Sequence, residues 1–133
     1  MPQDPSAQDA HFAVERDPGR GRLAAEYAEG LLGAAENESC IDALLIEFHD
    51  FVGNVLDAHP RFEAVLVSAL VSHEDREAIL DRILRSKSLD EQASPTFLNF
   101  LKVVSKHERL DLLRSILREY RSKVDSRLGR IPI

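Results

Sequence analysis

Apolar residues recur every three or four positions along most of the chain, which is the period of an amphipathic α-helix. No stretch alternates apolar and polar residues between turn signals, as a half-buried strand does. Proline, glycine and polar clusters divide the pattern into six helices joined by short loops, with no fixed-length repeat. We predict an all-α protein, a compact six-helix bundle over residues 20–133 preceded by a flexible, disordered N-terminal extension over residues 1–19.

Cap residues indicate where several of these helices begin. Ser72 and Ser94 precede the fourth and fifth helices, and Pro95 takes the first position of the fifth, where its missing N–H costs no hydrogen bond. Ser39 is expected to cap the second helix in the same way. The polar residues 86–93 form a loop between the fourth and fifth helices.

Helices one and five carry unusual patterns. Helix one is rich in small residues, including Gly30 and Gly33, although a glycine inside a helix costs about 1 kcal/mol relative to alanine. Two such glycines suggest a packing reason, since small residues let another helix approach closely. Helix five is apolar around well over half its circumference, whereas a surface helix needs a stripe only about 100° wide. It is therefore either central in the bundle or partly exposed to a partner.

The composition, with 44% apolar and 30% charged residues in a chain of 133, indicates one globular domain. No apolar run approaches the roughly 20 residues that span a bilayer, so direct membrane insertion is not expected. The single cysteine, Cys40, lies between Glu38 and Asp42. These acids should raise the pKa of its thiol, which opposes a reactive thiolate.

Charge is divided unevenly along the chain. Residues 1–66 contain 4 basic and 13 acidic side chains, whereas residues 102–130 contain 9 basic and 4 acidic ones. The net charge of −6 argues against bulk nucleic-acid binding, because phosphates require a strong positive field. The arginines of helix six, such as Arg114 and Arg118, are best explained as partners of the acidic first half. An all-helical RNA-binding module that uses this face remains an alternative.

Motifs for catalysis are missing. The chain has neither a glycine-rich phosphate loop nor a Gly-x-Ser-x-Gly nucleophile motif. His73 and Glu77 have a spacing that could hold a metal, but no second pair supports them. We therefore expect a non-enzymatic protein with no catalytic residues, no cofactor and no metal.

Two segments carry a recognisable pattern. Residues 97–110 read FLNFLKVVSKHERL and lead into a leucine-rich last helix that contains Tyr120, and residues 23–31 read LAAEYAEGL. Together they resemble the delta subunit of F-type ATP synthases, a family that includes the mitochondrial oligomycin-sensitivity-conferring protein. The chain departs from the family in three ways. Gly30 stands where alanine is usual, and His107-Glu108 replaces Asn-Gly, so that turn is expected to be tighter or strained. Family members continue with a second, β-containing C-terminal domain, whereas this sequence ends at Ile133 and is expected to correspond to the N-terminal domain alone.

The resemblance implies a mechanical function. In this family the N-terminal domain is a six-helix bundle on top of the catalytic head, and a groove between its first and fifth helices binds the N-terminal helix of an alpha subunit. It implies a non-catalytic, peripheral-stalk protein at the cytoplasmic face of a bacterial inner membrane, with the b subunits bound only through the C-terminal domain. A regulatory module that binds some other helix is the second alternative. The residues implied in alpha binding are Tyr27, Gly30, Leu31, Ala34, Asn99, Phe100, Val103 and Lys106.

Overall fold

The computed structural model describes residues 18–85 and 94–129, and all the elements within them are helical. The helices are α1 (Pro18–Asn37), α2 (Ile41–Asp50), α3 (Pro60–Leu66), α4 (His73–Arg85), α5 (Pro95–Lys106) and α6 (Leu113–Arg127). A π-helical segment, Phe51–Asp57, continues α2, and a 3₁₀ turn, Leu110–Leu112, leads into α6. The predicted all-α, six-helix fold is confirmed.

Two sequence predictions fall on residues that lie outside the described ones. They are the extension before residue 18 and the polar loop at 86–93. Helix α1 begins at Pro18, two residues before the expected start. Among the described residues, no helix combines the length and the apolarity needed to cross a membrane.

Helix α5 is central in the bundle, and other helices cover most of its surface. Half of its twelve residues are buried, and it packs against α4 and against α2. Phe48 of α2 contacts Phe97 and Phe100 of α5, with ring centroids 5.4 and 5.7 Å apart in tilted arrangements that aromatic pairs favour. The central position accounts for most of the apolar surface of the helix. Asn99 and Val103 remain exposed on its outer side, and their contact with a partner stays a prediction.

The π-helical segment accounts for the spacing of the buried side chains in its region. Leu44, Phe48, Val52 and Leu56 are all buried and lie four residues apart. An α-helix has about 3.6 residues per turn, so positions four apart drift around its axis. The wider π-helical turn offsets part of this drift and keeps the last two residues directed at the core. The sequence predicted one continuous amphipathic helix here and missed the change of pitch.

The caps predicted for α4 and α5 are present. The Ser72 hydroxyl accepts a hydrogen bond from the Asp75 N–H at 3.1 Å, and the Ser94 hydroxyl accepts one from the Phe97 N–H at 3.2 Å. Glu47 of α2 adds a link that the sequence did not predict. Its carboxylate accepts hydrogen bonds from the N–H and the hydroxyl of Ser94, at 2.7 and 2.9 Å, which ties α2 to the start of α5.

The cap predicted at Ser39 is wrong. Ser39 has φ +54°, in the left-handed region, and the Cys40 N–H donates to the Ala35 carbonyl at 2.9 Å. These features close the C-terminus of α1. Because the connection to α2 is so short, Ser39 is needed to end one helix and cannot also adopt the extended conformation of a cap. Cys40 takes the N-cap position without a side-chain hydrogen bond.

The strain expected in the turn after α5 is present. Glu108 has φ +57°, a conformation that favours glycine. The Arg109 N–H donates to the Val104 carbonyl at 3.0 Å, and the Glu108 N–H donates to the Ser105 carbonyl at 2.9 Å, the two bonds of a Schellman helix end. The Glu108 carboxylate also lies 3.7 Å from the guanidinium of the buried Arg76, so the strained residue connects this turn to α4.

Basic residues of α6 pair with acidic residues of the first half, as the charge distribution predicted. The pairs are Arg114 with Asp57 and Glu63, Lys123 with Glu29, and Arg127 with Glu29 and Glu36. The Arg114 Nη2 atom donates to Glu63 Oε1 at 2.8 Å, and this bonding, with a smaller effect of Asp57, raises the pKa of the guanidinium. These contacts fasten α6 to α1 and to the π-helical and α3 region.

Candidate partner-binding groove

A groove of about 430 Å³ lies between α1 and α5. The two helices run in opposite directions. Arg20, at the start of α1, pairs with Asp111 beyond the end of α5, and the Tyr27 ring further along α1 lies 6.4 Å, centroid to centroid, from the His107 ring just after α5. Glu26, Tyr27, Gly30, Leu31, Ala34, Asn37 and Glu38 form the α1 side of the groove. Thr96, Asn99, Phe100 and Val103 form the α5 side.

The structure brings together seven of the eight residues that the resemblance implied. These are Tyr27, Gly30, Leu31, Ala34, Asn99, Phe100 and Val103. The eighth, Lys106, is exposed one turn beyond Val103 and does not line the groove. That these side chains bind a partner remains a prediction.

The floor of the groove is fixed by the hydrophobic core. Leu31 and Phe100 are buried, and Phe100 is held from below by Phe48. Val103, in contrast, is 49% exposed, which is high for an apolar side chain at the centre of a helical pair. The groove therefore combines a rigid apolar base with an apolar rim that water reaches.

Close packing within this chain explains only some of the small residues of α1. A methyl group placed at Gly30 or at Gly33 would meet no described atom within 4 Å, beyond the helix's own backbone and adjacent residues. Ala24 and Ala28, in contrast, are completely buried. Gly30 thus leaves open space above the groove, where a second helix could approach the α1 backbone.

Four residues that line the groove were missed by the sequence analysis: Glu26, Asn37, Glu38 and Thr96. Helical spacing held a signal for all four of them. Thr96 lies three positions before Asn99, and Asn37 lies three positions after Ala34, so each shares a face with a predicted residue. Glu26 lies four positions before Gly30, and Glu38 lies four positions after Ala34, so they have the same kind of spacing. Their signal is weaker because glutamates are common on any solvent-exposed helix.

The electrostatic environment differs between the two ends and the centre of the groove. Glu26 and Glu38 lie towards opposite ends, and no ion pair joins either of them to another described residue. Burial raises the pKa of the Tyr27 phenol, Arg109 opposes that rise, and Glu26 adds to it. Between the two acids the lining is apolar or carries only neutral polar groups.

His73 and Cys40, the other residues considered from the sequence, lie outside the groove. The His73 Nε2 atom lies 3.5 Å from the Glu77 carboxylate, and its Nδ1 atom lies 3.4 Å from the Ser105 hydroxyl. Within residues 18–85 and 94–129, no three His, Cys, Asp or Glu side chains gather into a metal-binding group. The pKa of Cys40 is raised as expected, chiefly by burial, then by Glu38 and by Glu47 rather than Asp42.

Comparison with known proteins identifies similar chains. Residues 23–133 match the family model of the ATP synthase delta (OSCP) subunit. ATP synthase subunit delta of Acidobacterium capsulatum is 32% identical over 108 residues, which cover 80% of this chain and 58% of the relative. The corresponding protein of Rubrobacter xylanophilus is 30% identical over 107 residues, covering 80% and 56%. The chain thus spans about half the length of the curated relatives it matches. No solved structure gives a significant match.

Proposed function

The chain belongs to the ATP synthase delta (OSCP) subunit family, and from this premise we propose that it binds the N-terminal helix of an alpha subunit in the groove between α1 and α5. In doing so it clamps the catalytic head of an F-type ATP synthase to the stator. The protein works in this proposal as a non-catalytic part of the peripheral stalk, at the cytoplasmic face of a bacterial inner membrane. The b subunits are held by the family's second domain.

The observation that carries the proposal is the unfilled apolar groove. Its floor is rigid, its rim includes the exposed Val103, and its α1 side has open space at Gly30. An amphipathic helix laid into such a groove buries its apolar stripe against the floor and rim. Burial of apolar surface contributes roughly 25 cal/mol per Å², less the cost of ordering the helix.

A clamp needs slow dissociation rather than turnover. Rotation of the central rotor exerts torque on the catalytic head, so the head must be held to the stator while catalysis proceeds. A preformed groove suits this task, because the domain itself loses little conformational freedom when the helix binds. Affinity differences between related complexes lie mostly in the dissociation rate.

Ion pairing weakens the RNA-binding alternative. Arg114, Lys123 and Arg127 are each engaged by carboxylates of the first half. Phosphate binding would have to replace these pairs, and the affinity would fall steeply with salt. A filter assay at low ionic strength should detect no RNA retention.

Isothermal titration with a peptide of the first 25 or so residues of the cognate alpha subunit tests the proposal. We expect binding at 1:1 with micromolar or tighter affinity and a negative heat-capacity change from apolar burial. Val103→Asp should weaken binding at least about tenfold, because it places a charge where an apolar contact forms.

Val65→Asp is the matched control. Val65 lies on α3, outside the groove, and is 48% exposed, so the same substitution meets nearly the same solvent exposure. We expect this variant to bind like the parent. Equal weakening by both variants, or no heat with the parent at any temperature, would contradict the placement of the alpha helix. Binding of unrelated amphipathic helices with equal affinity would favour the general helix-binding alternative.

A further inference from the structure

We infer that the helix bound in this groove carries a basic side chain near each end of its apolar stripe, about three helical turns apart. The inference rests on the proposed function and adds the electrostatic character of the partner. It follows from the two acidic residues at the ends of the groove, Glu26 and Glu38, which line it without an ion pair to any described residue.

The four glutamates in and next to α1 divide into two groups, one that forms ion pairs with α6 and one that lines the groove. Glu29 lies 3.4 Å from the Lys123 ammonium, and Glu36 pairs with Arg127. Both bridge to α6, which packs along α1. Glu26 and Glu38 lie on the groove side, where neither carboxylate forms an ion pair with a described residue. The acids of this region thus form ion pairs on the α6 side, whereas Glu26 and Glu38 are exposed to solvent on the groove side.

The positions of the two acids set the spacing of the cations. They are twelve residues apart, which is about 18 Å along a helix that rises 1.5 Å per residue. One acid adjoins Tyr27, near the C-terminal end of α5, and the other lies towards Thr96, near the start of α5. A helix that follows the groove meets one carboxylate near each end, and about three of its own turns cover the distance between them.

The α5 side of the groove differs from the α1 side in charge, and this difference would orient the partner helix. Asn99, Val103 and Thr96 are uncharged, and Lys102 on α5 is already paired with Asp81 at 2.9 Å. The groove lining therefore presents carboxylates on the α1 side and no charged residue on the α5 side, where the exposed Lys106 lies one turn beyond Val103. Basic residues on that edge of the partner would fix its rotation about its own axis.

The alpha-subunit peptide serves as the probe, measured against the parent chain and against Glu26→Gln, Glu38→Gln and the double variant. Each single change should raise Kd about two- to fivefold and the double change about tenfold, which is typical of solvent-exposed ion pairs. Between 50 and 500 mM NaCl the parent should lose about as much affinity as the double variant loses by substitution, because salt screens these pairs. The double variant should be almost insensitive to salt.

Two controls separate a local from a general charge effect. Glu74→Gln removes an exposed acid of α4 that does not line the groove and should leave Kd unchanged. A peptide with every Lys and Arg replaced by Gln should bind the parent and the double variant equally, as a double-mutant cycle requires. If the double variant binds like the parent at all salt concentrations while Val103→Asp still fails, the inference is overturned and the proposed function stands. If the parent does not bind the peptide, both the proposed function and this inference are overturned.

Discussion

Both sides of α1 carry small and acidic residues, but these residues are buried or ion-paired on one side and open to solvent on the other. Towards the core and α6, its small residues Ala24, Ala28 and Ala35 are completely buried. Towards α5, Gly30 and Ala34 line an open groove. The acidic residues divide in the same way: on the α6 side they pair with cations, and along the groove they have no ion pair among the described residues.

The difference shows that the reason for a small residue can be inferred only when the element that packs over it is known. On the buried side, an alanine is required because another element occupies the space beyond it. On the groove side, the space is empty in the described part of the chain, so the small residue serves no packing purpose that the domain itself supplies. The open side is therefore where a partner should be sought, and the variants below are designed to separate the two sides.

The largest expected effect comes from enlarging an alanine on each side. Ala28→Leu forces extra volume into a filled core and should lower the free energy of unfolding by about 1–3 kcal/mol. Ala34→Leu adds the same atoms on the groove side and should change stability by less than about 0.5 kcal/mol. Urea denaturation of both variants measures the difference. Equal losses would mean that the groove is no more open than the core.

A second contrast uses the two tyrosines. The Tyr120 hydroxyl donates a hydrogen bond to the Ile41 carbonyl at 2.9 Å, whereas the Tyr27 hydroxyl has no partner among the described residues. Tyr120→Phe should therefore cost about 1 kcal/mol of stability at pH 7, and Tyr27→Phe less than half of that. Chemical denaturation compares the two, and an equal cost would contradict the assignment of one side as closed and the other as open.

The same pair predicts a dependence on alkaline pH. Burial, aided by nearby Cys40 and Asp42, raises the pKa of Tyr120 from 10.0 to about 12. The folded state then holds the proton that the unfolded state releases. The stabilisation is complete below pH 10 and is lost as the pH rises through 12. Between pH 10 and 12 the parent should lose more stability than Tyr120→Phe, and parallel curves would refute this.

The smallest effect concerns the two glycines of α1. Both lie inside the helix, and no described atom lies near the position that an added methyl group would take. Gly30→Ala and Gly33→Ala should therefore each stabilise the domain by about 0.5–1 kcal/mol. They should differ in binding. Gly30 lines the groove and Gly33 does not, so only Gly30→Ala should weaken binding of the alpha peptide. Thermal unfolding and titration together check this, and a loss of affinity in Gly33→Ala would remove the distinction.

Local patterns predicted the elements well, and they failed where two elements compete. Ser72 and Ser94 were recognised as caps because each is followed by a single, isolated helix start. Ser39 was misassigned because α1 uses it to end before α2 can use it to begin. The link from Glu47 to Ser94 joins residues 47 positions apart, and no local pattern could reveal it.

The sequence by itself determined the six helices, most of their boundaries and the family, because periodicity and caps are set by residues within a few positions of one another. Only the tertiary structure decided which sides of α1 and α5 remain open. Exposure depends on contacts between distant residues, such as the pairing of Arg127 with Glu36 across 91 positions. Packing of α6 along α1 fills one side of that helix, and no described element fills the other.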